Sequence, residues 1–409
     1  MTPSTDRKKM SDKPQLLSGL KILDLATMLA APMASSLLAD FGADVIKVEL
    51  PDQEDPLRDL PPHKDGKPLW WKVTNRNKKG ITLDIRKPQG RELLLEIIGN
   101  FDVLVENFRP GTLEKYGLSP EILQARHPGL IILRVSGYGQ TGPNATDPGF
   151  ARVAEAFSGF TYLCGYPERG PMHIGFPIAD ATTGIFGALG IIIACWYKAK
   201  NPDAPGEIID LSLVESMFRL LEFLPIEYDQ LGEIRERSGN RSQYAGPSNI
   251  YRSKDGKWIS LSASAQSIFK NFARQMGRPE LITDPRFSTN SNRVKNSEEL
   301  DEIVAAWFAE RTQSEALEEM KAGGVAGGPV FSIEDIFNSE QYKARDAIIK
   351  VDDPELGPVA MQAVTPKYAK MPGSVVSTGP RHGQDTYEVY QSLGLSENRI
   401  HELKSNGII

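Results

Sequence analysis

The chain has 409 residues and a net charge of −6, from 47 Lys and Arg against 53 Asp and Glu. That length excludes a single small binding module, because domains run to roughly 100–200 residues. The mild acidity offers no basic footprint for nucleic acid and no polybasic patch for a membrane, so the expected partners are small molecules. Two cysteines, Cys164 and Cys195, exclude a disulfide framework and a zinc-ligand spacing, which makes a cytoplasmic location the expectation.

In chain order, residues 1–17 are polar, include Lys8 and Lys9, and lack the apolar stretch of a signal peptide; they are expected to be a disordered head. From Leu20 the text alternates short apolar runs with helical patterns. LKILDL reads as a strand, Ala34 to Phe41 as a helix stopped by Gly42, and DVIKVEL as a second strand. Further strands are expected at Ile81–Ile85, Asp102–Glu106 and Leu130–Val135, with a helix from Pro88 to Ile98 whose proline suits the first turn. The pattern is that of an open, largely parallel α/β sheet. Asp180 to Lys198 reads as one long buried core helix, since its longest apolar run, Gly184 to Trp196, falls short of the ~20 residues that span a bilayer. A strand at Glu207–Leu211 and a helix from Ser212 follow.

After about Tyr228 the character changes. Ser248 to Ala263 carries alternating runs on both sides of Asp255-Gly256, the chemistry of a tight hairpin. Amphipathic helices are expected near Ile268–Met276 and Leu300–Ala309. The stretch Gly323, Gly324, Gly327, Gly328, Pro329 reads as a hinge or backbone-approach loop. The tail, Asp385 to Ile409, has helical periodicity with Ser396 placed to cap the last helix, so a terminal helix pair is expected to dock on the body.

Three loops carry the chemistry. Gly137-Tyr138-Gly139-Gln140-Thr141-Gly142 is a literal GxGxxG after a strand, but Pro143 and the turn-rich residues behind it interrupt any helix. A dinucleotide site needs that helix to present its amides, so a backbone-lined loop at a strand end is the better reading. Asn75-Arg76-Asn77-Lys78 and Asn107-Phe108-Arg109 also sit beside predicted strands. Lys78, Arg109 and Lys115 are candidates for charge-assisted contacts to phosphates, and Phe108 offers a stacking face for a base. For any one of them the plain alternative is a solvated basic loop.

Asp180 stands just ahead of the most apolar helix. Its ordinary explanation is capping of that helix; the functional one is a carboxylate nucleophile in a dry site, approached closely because the neighbours are small. The five histidines are scattered without metal-ligand spacing, no GxSxG elbow is present, and Cys195 suits a core position.

Taken in order, LSGLKILDLATMLAAPMASSLLADFGADVIKVE, NRNKKGITLDI, DVLVENFRPGTLEKYGL, SGYGQTGP, GFPIADATTG, DLSLVESM, YRSKDGKWISL, AGGVAGGPV and LGLSENRIHELKSNGII resemble the class III CoA-transferase (CaiB/BaiF) family, which includes formyl-CoA transferase, over residues 18 to 409. The resemblance implies an interlocked homodimer. It implies a Rossmann-like large domain in 18–228, a smaller α+β middle domain in 229–330, and a C-terminal segment, 331–409, that completes the large domain. It places the catalytic aspartate on Asp180 and CoA contacts on Leu29, Ala30, Asn75, Arg76, Asn77, Lys78, Asn107, Phe108, Arg109, Lys115, Ser136, Gly137, Tyr138 and Gly139. Leu29, Leu50 and Ser136 depart from formyl-type members.

The implied reaction uses a CoA thioester as substrate with no tightly bound cofactor and no metal. CoA passes from an acyl-CoA, expected to be succinyl-CoA, to a small carboxylic or dicarboxylic acid through aspartyl anhydride and aspartyl-CoA thioester intermediates. Gly323–Gly328 or Ser238–Gly246 is expected to shield them from water. Arg152, Arg235 and Arg241 are candidates to meet a distal carboxylate, and the sequence does not choose among them. Two alternatives stay open: an α-methylacyl-CoA racemase, whose histidine would fall where this chain has Gly149-Phe150-Ala151, and a non-catalytic acyl-CoA-binding protein.

Overall fold

The computed structural model describes residues 15–409, so most of the expected disordered head lies outside the described residues. The chain forms two compact units. The first runs to Phe160 and resumes with Ile174–Gln230 and Ala344–Ile409; the second comprises Thr161–His173 and Leu231–Lys343.

The first unit is built on six strands, β1 (Lys21–Asp24), β2 (Asp44–Glu49), β3 (Lys79–Thr82), β4 (Val103–Glu106), β5 (Ile131–Ser136) and β6 (Ile208–Ser212). All neighbours are parallel, in the order β3-β2-β1-β4-β5-β6. Every residue of β4 and β5 is buried, as in a sheet covered on both faces, and this is why these strands read as continuous apolar runs. Strand order reverses at β1 and β4. Open α/β sheets bind ligands outside the carboxyl ends of the strands flanking such a reversal.

Helices follow the strands. α1 (Ala30–Ala39) follows β1, and α2 (Pro88–Ile97) follows β3 with its proline at the first position. α3 (Ala151–Phe157) comes well after β5, behind the Gly137–Gly142 loop, so the glycine motif opens no helix. α4 (Ile178–Lys200) then crosses the sheet, and α5 (Leu213–Arg219) starts from Ser212, whose hydroxyl accepts the Glu215 amide.

The expectation of a wholly buried α4 needs correction. At 23 residues it is long and apolar enough, by length and composition, to cross a membrane. One face is embedded, with Thr183, Gly187 and Ile191 buried, while Ile185, Leu189, Ile193 and Trp196 are exposed on the other. The embedded face packs closely on α1. A Cβ added at Gly184 would lie 2.9 Å from Met33 and 3.0 Å from the Ala30 carbonyl, and one at Gly187 would lie 3.0 Å from the Ala34 Cβ.

The tail folds onto the first unit as a pair of helices that close the chain. The Asp385 carboxylate accepts the Gly80 amide at 2.7 Å, the Tyr390 hydroxyl donates to the Thr82 carbonyl at 3.0 Å, and the Asp84 amide donates to the Ile408 carbonyl at 2.7 Å. Val389, Tyr390, Ile400, Leu403 and Ile408 finish the core around α2. Each such side chain contributes about 1.5–3 kcal/mol by burial, so the last residues are structural. The Ser396 hydroxyl caps the final helix by accepting the Arg399 amide.

In the second unit, β7 (Ser248–Arg252) and β8 (Trp258–Ser262) form the expected hairpin around Asp255-Gly256, with Gly256 at φ +79°. The glycine-rich stretch is a correction: Ala326–Pro329 is a third strand, β9, paired antiparallel with β8. Its pairing with Ile259–Ser262 fixes the stretch in a sheet rather than leaving it free to close as a loop, and a Cβ at Gly327 would lie 3.0 Å from the Ser260 carbonyl. α6 (Gln266–Gln275) and α7 (Ser297–Ala309) cover this sheet through Phe269, Phe272, Trp307 and Phe308. The terminal pair is then α8 (Thr386–Ser392) and α9 (Glu397–Ser405).

Candidate active site

Asp24 ends β1 fully buried and organises the turn into α1. Its carboxylate accepts the Ala26 amide at 3.0 Å, the Ser35 hydroxyl at 2.6 Å and the Lys78 ammonium at 2.8 Å. Lys47, fully buried on β2, donates to the Ala26 carbonyl and sits 3.3 Å from Asp55, which in turn accepts the Met28 amide at 3.0 Å. Burial alone would raise the Asp24 pKa, but the neighbouring Lys78 and Lys47 hold it below the ordinary carboxylate value. The network fixes Met28 at φ +65°, a conformation that costs a non-glycine residue about 1–3 kcal/mol. Leu29 and Ala30 follow at the start of α1, so the turn expected to meet the thioester is held from beneath by buried charges.

The Asn75–Lys78 segment is used differently from the expectation. Lys78 is fully buried against Asp24, the Pro32 carbonyl at 2.7 Å and Asn75 Oδ1 at 3.0 Å, and burial lowers its pKa to about 8. Arg76 Nε donates to Asp40 at 3.0 Å and Nη1 to the Gln362 carbonyl at 2.6 Å. Asn77, at φ +64°, donates to the Ser374 carbonyl and accepts the Val376 amide. The side chains of Arg76, Asn77 and Lys78 therefore hold the chain together, and neither cation is presented to a phosphate. The physical reason is charge balance: a buried cation must have a buried anion, and Asp24 and Asp40 supply it.

On the other side of the reversal, the Asn107 side chain exchanges hydrogen bonds with the Thr27 backbone, accepting its amide at 2.9 Å and donating to its carbonyl at 2.7 Å. The ends of β1 and β4 are thereby joined. Phe108 lines a largely apolar cavity of about 190 Å³ with Leu25, Val48, Leu50 and Tyr116. Arg109 and Lys115 are exposed, and among the described residues neither has a carboxylate partner.

The glycine loop closes the next strand end. The Ser136 hydroxyl accepts the Gly139 amide at 2.9 Å, and Asp210 accepts the Gln140 amide at 3.0 Å. Gly139 and Gly142 take φ of +95° and +92°. Gly137 is pressed on Gly149, where a Cβ would lie 2.9 Å from the Gly137 Cα, and the Tyr138 ring meets Phe157 edge-on at 5.3 Å.

Asp180 is the third residue of α4, in the first turn where the helix end suits a carboxylate, but no side-chain hydrogen bond caps this helix among the described residues. α1 and α4 run the same way where Gly184 and Gly187 meet Ala30 and Ala34, and Asp180, one turn before Gly184, therefore faces the β1–α1 turn. Its pKa is raised to about 6, first by burial and then by the charge of Glu155 on α3. A helix N-terminus favours a carboxylate by about 0.3–1 kcal/mol, whereas the shift from 3.8 corresponds to about 3 kcal/mol, so burial wins. The result is a carboxylate ionised at neutral pH yet poorly solvated, the condition of an activated nucleophile. The Cys195 thiol, by contrast, is pushed up to about 11 by burial and then by Asp102, which suits a core position.

Sequence reasoning missed Asp24, Lys47, Asp55 and Glu155. A signal was present in the first two, since a charge inside an otherwise apolar parallel strand must be paired or functional. Asp55 and Glu155 lie in unremarkable text.

The profile described as CoA-transferase family III matches residues 17–386 of this chain. The chain is 41% identical over 398 residues to a succinyl-CoA:D-citramalate CoA-transferase of Chloroflexus aurantiacus, covering 97% of this chain and 98% of that one. It is 38% identical over 412 residues to the alpha subunit of a succinyl-CoA:L-malate CoA-transferase of Chloroflexus aurantiacus, covering 100% and 95%. A CAIB/BAIF family protein from Brucella suis, solved by crystallography, is similar with a TM-score of 0.82 at 31% identity, over 93% of this chain and 100% of that one.

Proposed function

The chain belongs to CoA-transferase family III, and from that premise we propose that it carries CoA from succinyl-CoA to a small dicarboxylic acid through covalent intermediates on Asp180. That it is a CoA-transferase rests on the family. The donor and the acceptor class rest on relatives that use succinyl-CoA with D-citramalate or L-malate. The observation that carries the covalent role is Asp180 itself, a carboxylate in the first turn of α4, facing the β1–α1 turn, with a pKa near 6.

The Asp180 oxygen attacks the thioester carbonyl carbon, the C–S bond breaks, and CoA leaves as thiolate, giving a succinyl-aspartyl anhydride. The thiolate attacks the aspartyl carbonyl and releases succinate, leaving an aspartyl-CoA thioester. The acceptor carboxylate attacks that thioester, and the returning thiolate attacks the acceptor's acyl carbon and frees Asp180. Each step exchanges one activated acyl bond for another, so no ATP and no net proton are consumed. Water has to be kept out, because it would hydrolyse either anhydride. Arg109 and Lys115, exposed at the end of β4, are the side chains suited to the CoA phosphates, and Phe108 with Tyr116 forms the face for the base. The exposed apolar face of α4 is suited to burial by a second copy in an interlocked dimer, and light scattering on the purified protein is expected to give twice the chain mass.

The test is trapping. Incubation with succinyl-CoA and then hydroxylamine or borohydride should modify the peptide bearing Asp180. Transfer without any adduct at Asp180 would sink the covalent reading. At pH 7 a group with a pKa of about 6 is about ten to one ionised, so kcat/KM should fall as pH drops through 6.

A further inference from the structure

The structure separates the three arginines that the sequence leaves open. Arg241 is engaged, with Nε donating to Asp301 at 2.6 Å and Nη1 to Glu298 at 3.2 Å, and Arg235 donates to Gln243 at 3.2 Å. Both belong to the second unit. Arg152 belongs to the unit that holds Asp180, is exposed, and has no carboxylate partner among the described residues.

Its position is set by two contacts. α3 begins at Ala151, two residues after Gly149, which is packed against Gly137 of the glycine loop. α3 packs against α4, the helix that carries Asp180, and one helical turn after Arg152 stands the buried Glu155. Arg152 thus lies on the short segment that links the glycine loop to the surroundings of Asp180. Arg152 is exposed while Glu155 is buried, so the cation stands open to solvent at the start of this helix. The cation is also at the end of the helix where the macrodipole disfavours it, so helix stability does not explain it.

A chain that ends in a second carboxylate brings a negative charge towards a site that already holds the Asp180 carboxylate. Such a group binds only where a cation meets it, because like charges in a poorly solvated site repel and desolvation is costly. We propose that Arg152 determines specificity by pairing with the distal carboxylate of the succinyl group and of the acceptor acid. This rests on the succinyl-CoA reading above.

Binding to the chemically silent Asp180→Ala variant tests it without turnover. Titration with succinyl-CoA and with butyryl-CoA, which keeps the chain length and loses the carboxylate, should show a preference of about 10–100-fold for succinyl-CoA, the range of one charged hydrogen bond. Adding Arg152→Gln should erase that preference while leaving affinity for butyryl-CoA and free CoA within about twofold. Arg152→Lys should keep part of it. The proposal is overturned if Asp180→Ala shows no preference, if the preference survives Arg152→Gln, or if all three ligands weaken equally. Failure of the parent reading is seen separately, as absence of an Asp180 adduct from succinyl-CoA in the wild-type protein.

Discussion

The buried cations around β2 and β3 and the exposed cations beyond β4 and β5 use the same residue types for opposite purposes. Around β2 and β3, Arg58 is paired with Glu49 at 2.7 Å, Lys47 with Asp55 at 3.3 Å, Lys78 with Asp24 at 2.8 Å and Arg76 with Asp40, all of them buried. Beyond β4 and β5, Arg109, Lys115 and Arg152 are exposed and, among the described residues, meet no carboxylate, and no side-chain hydrogen bond caps the helix of Asp180. The first group has its charge balanced inside the fold and shapes the β1–α1 turn. The second has charge left over, and unbalanced charge beside a strand-end cavity is what a ligand can complete. A basic residue near a strand end is therefore informative only once its anion has been located.

The sharpest break of this contrast is Asp180→Ala. It should lower CoA transfer by about 10⁴-fold or more, while a binding titration finds CoA affinity within about tenfold, because the carboxylate serves the covalent step. Next in size is Lys78→Met, which leaves Asp24 buried with only Lys47 for charge. Urea denaturation should show a loss of about 3–5 kcal/mol. Arg109→Ala should do the reverse, with stability unchanged within about 0.5 kcal/mol and KM for the thioester raised about 10–100-fold. If Lys78→Met instead left stability intact and raised KM alone, the division between the two groups would collapse.

The smallest effect has the opposite sign. Asp180 binds its proton more tightly folded than unfolded, so the stability it contributes is present below about pH 4 and lost as pH rises through 6. Asp180→Asn should therefore stabilise the protein at pH 7 by about 1–3 kcal/mol and flatten its stability between pH 4 and 6, measured by thermal unfolding across that range.

Much of the first unit was legible. The strands at 21–24, 44–49, 103–106 and 131–136, and the helix starting at Pro88, follow from apolar runs and helix signals that act within a few residues. The Gly137 motif was also read correctly as a loop, because Pro143 forbids the helix locally. Two elements were misread for a shared reason. The glycine-rich Ala326–Pro329 becomes a strand only because β8 offers it a partner 64 to 70 residues away, as Ile259 pairs with Pro329 and Ser262 with Ala326. α4 looked buried throughout because hydropathy along a chain does not record which face another element covers.

Within the site, the sequence by itself determined which residue types stand where: Asp180 at the start of an apolar helix, glycines after β5, and a cluster of cations near 78, 109 and 115. These depend on local order, which the text states directly. Only the tertiary structure decided which of those charges are already neutralised. Lys78 meets Asp24 across 54 positions and Arg76 meets Asp40 across 36, whereas Arg109 and Arg152 meet no carboxylate among the described residues. Pairing is set by distance in space and by exclusion of water, and neither quantity is a property of position along the chain.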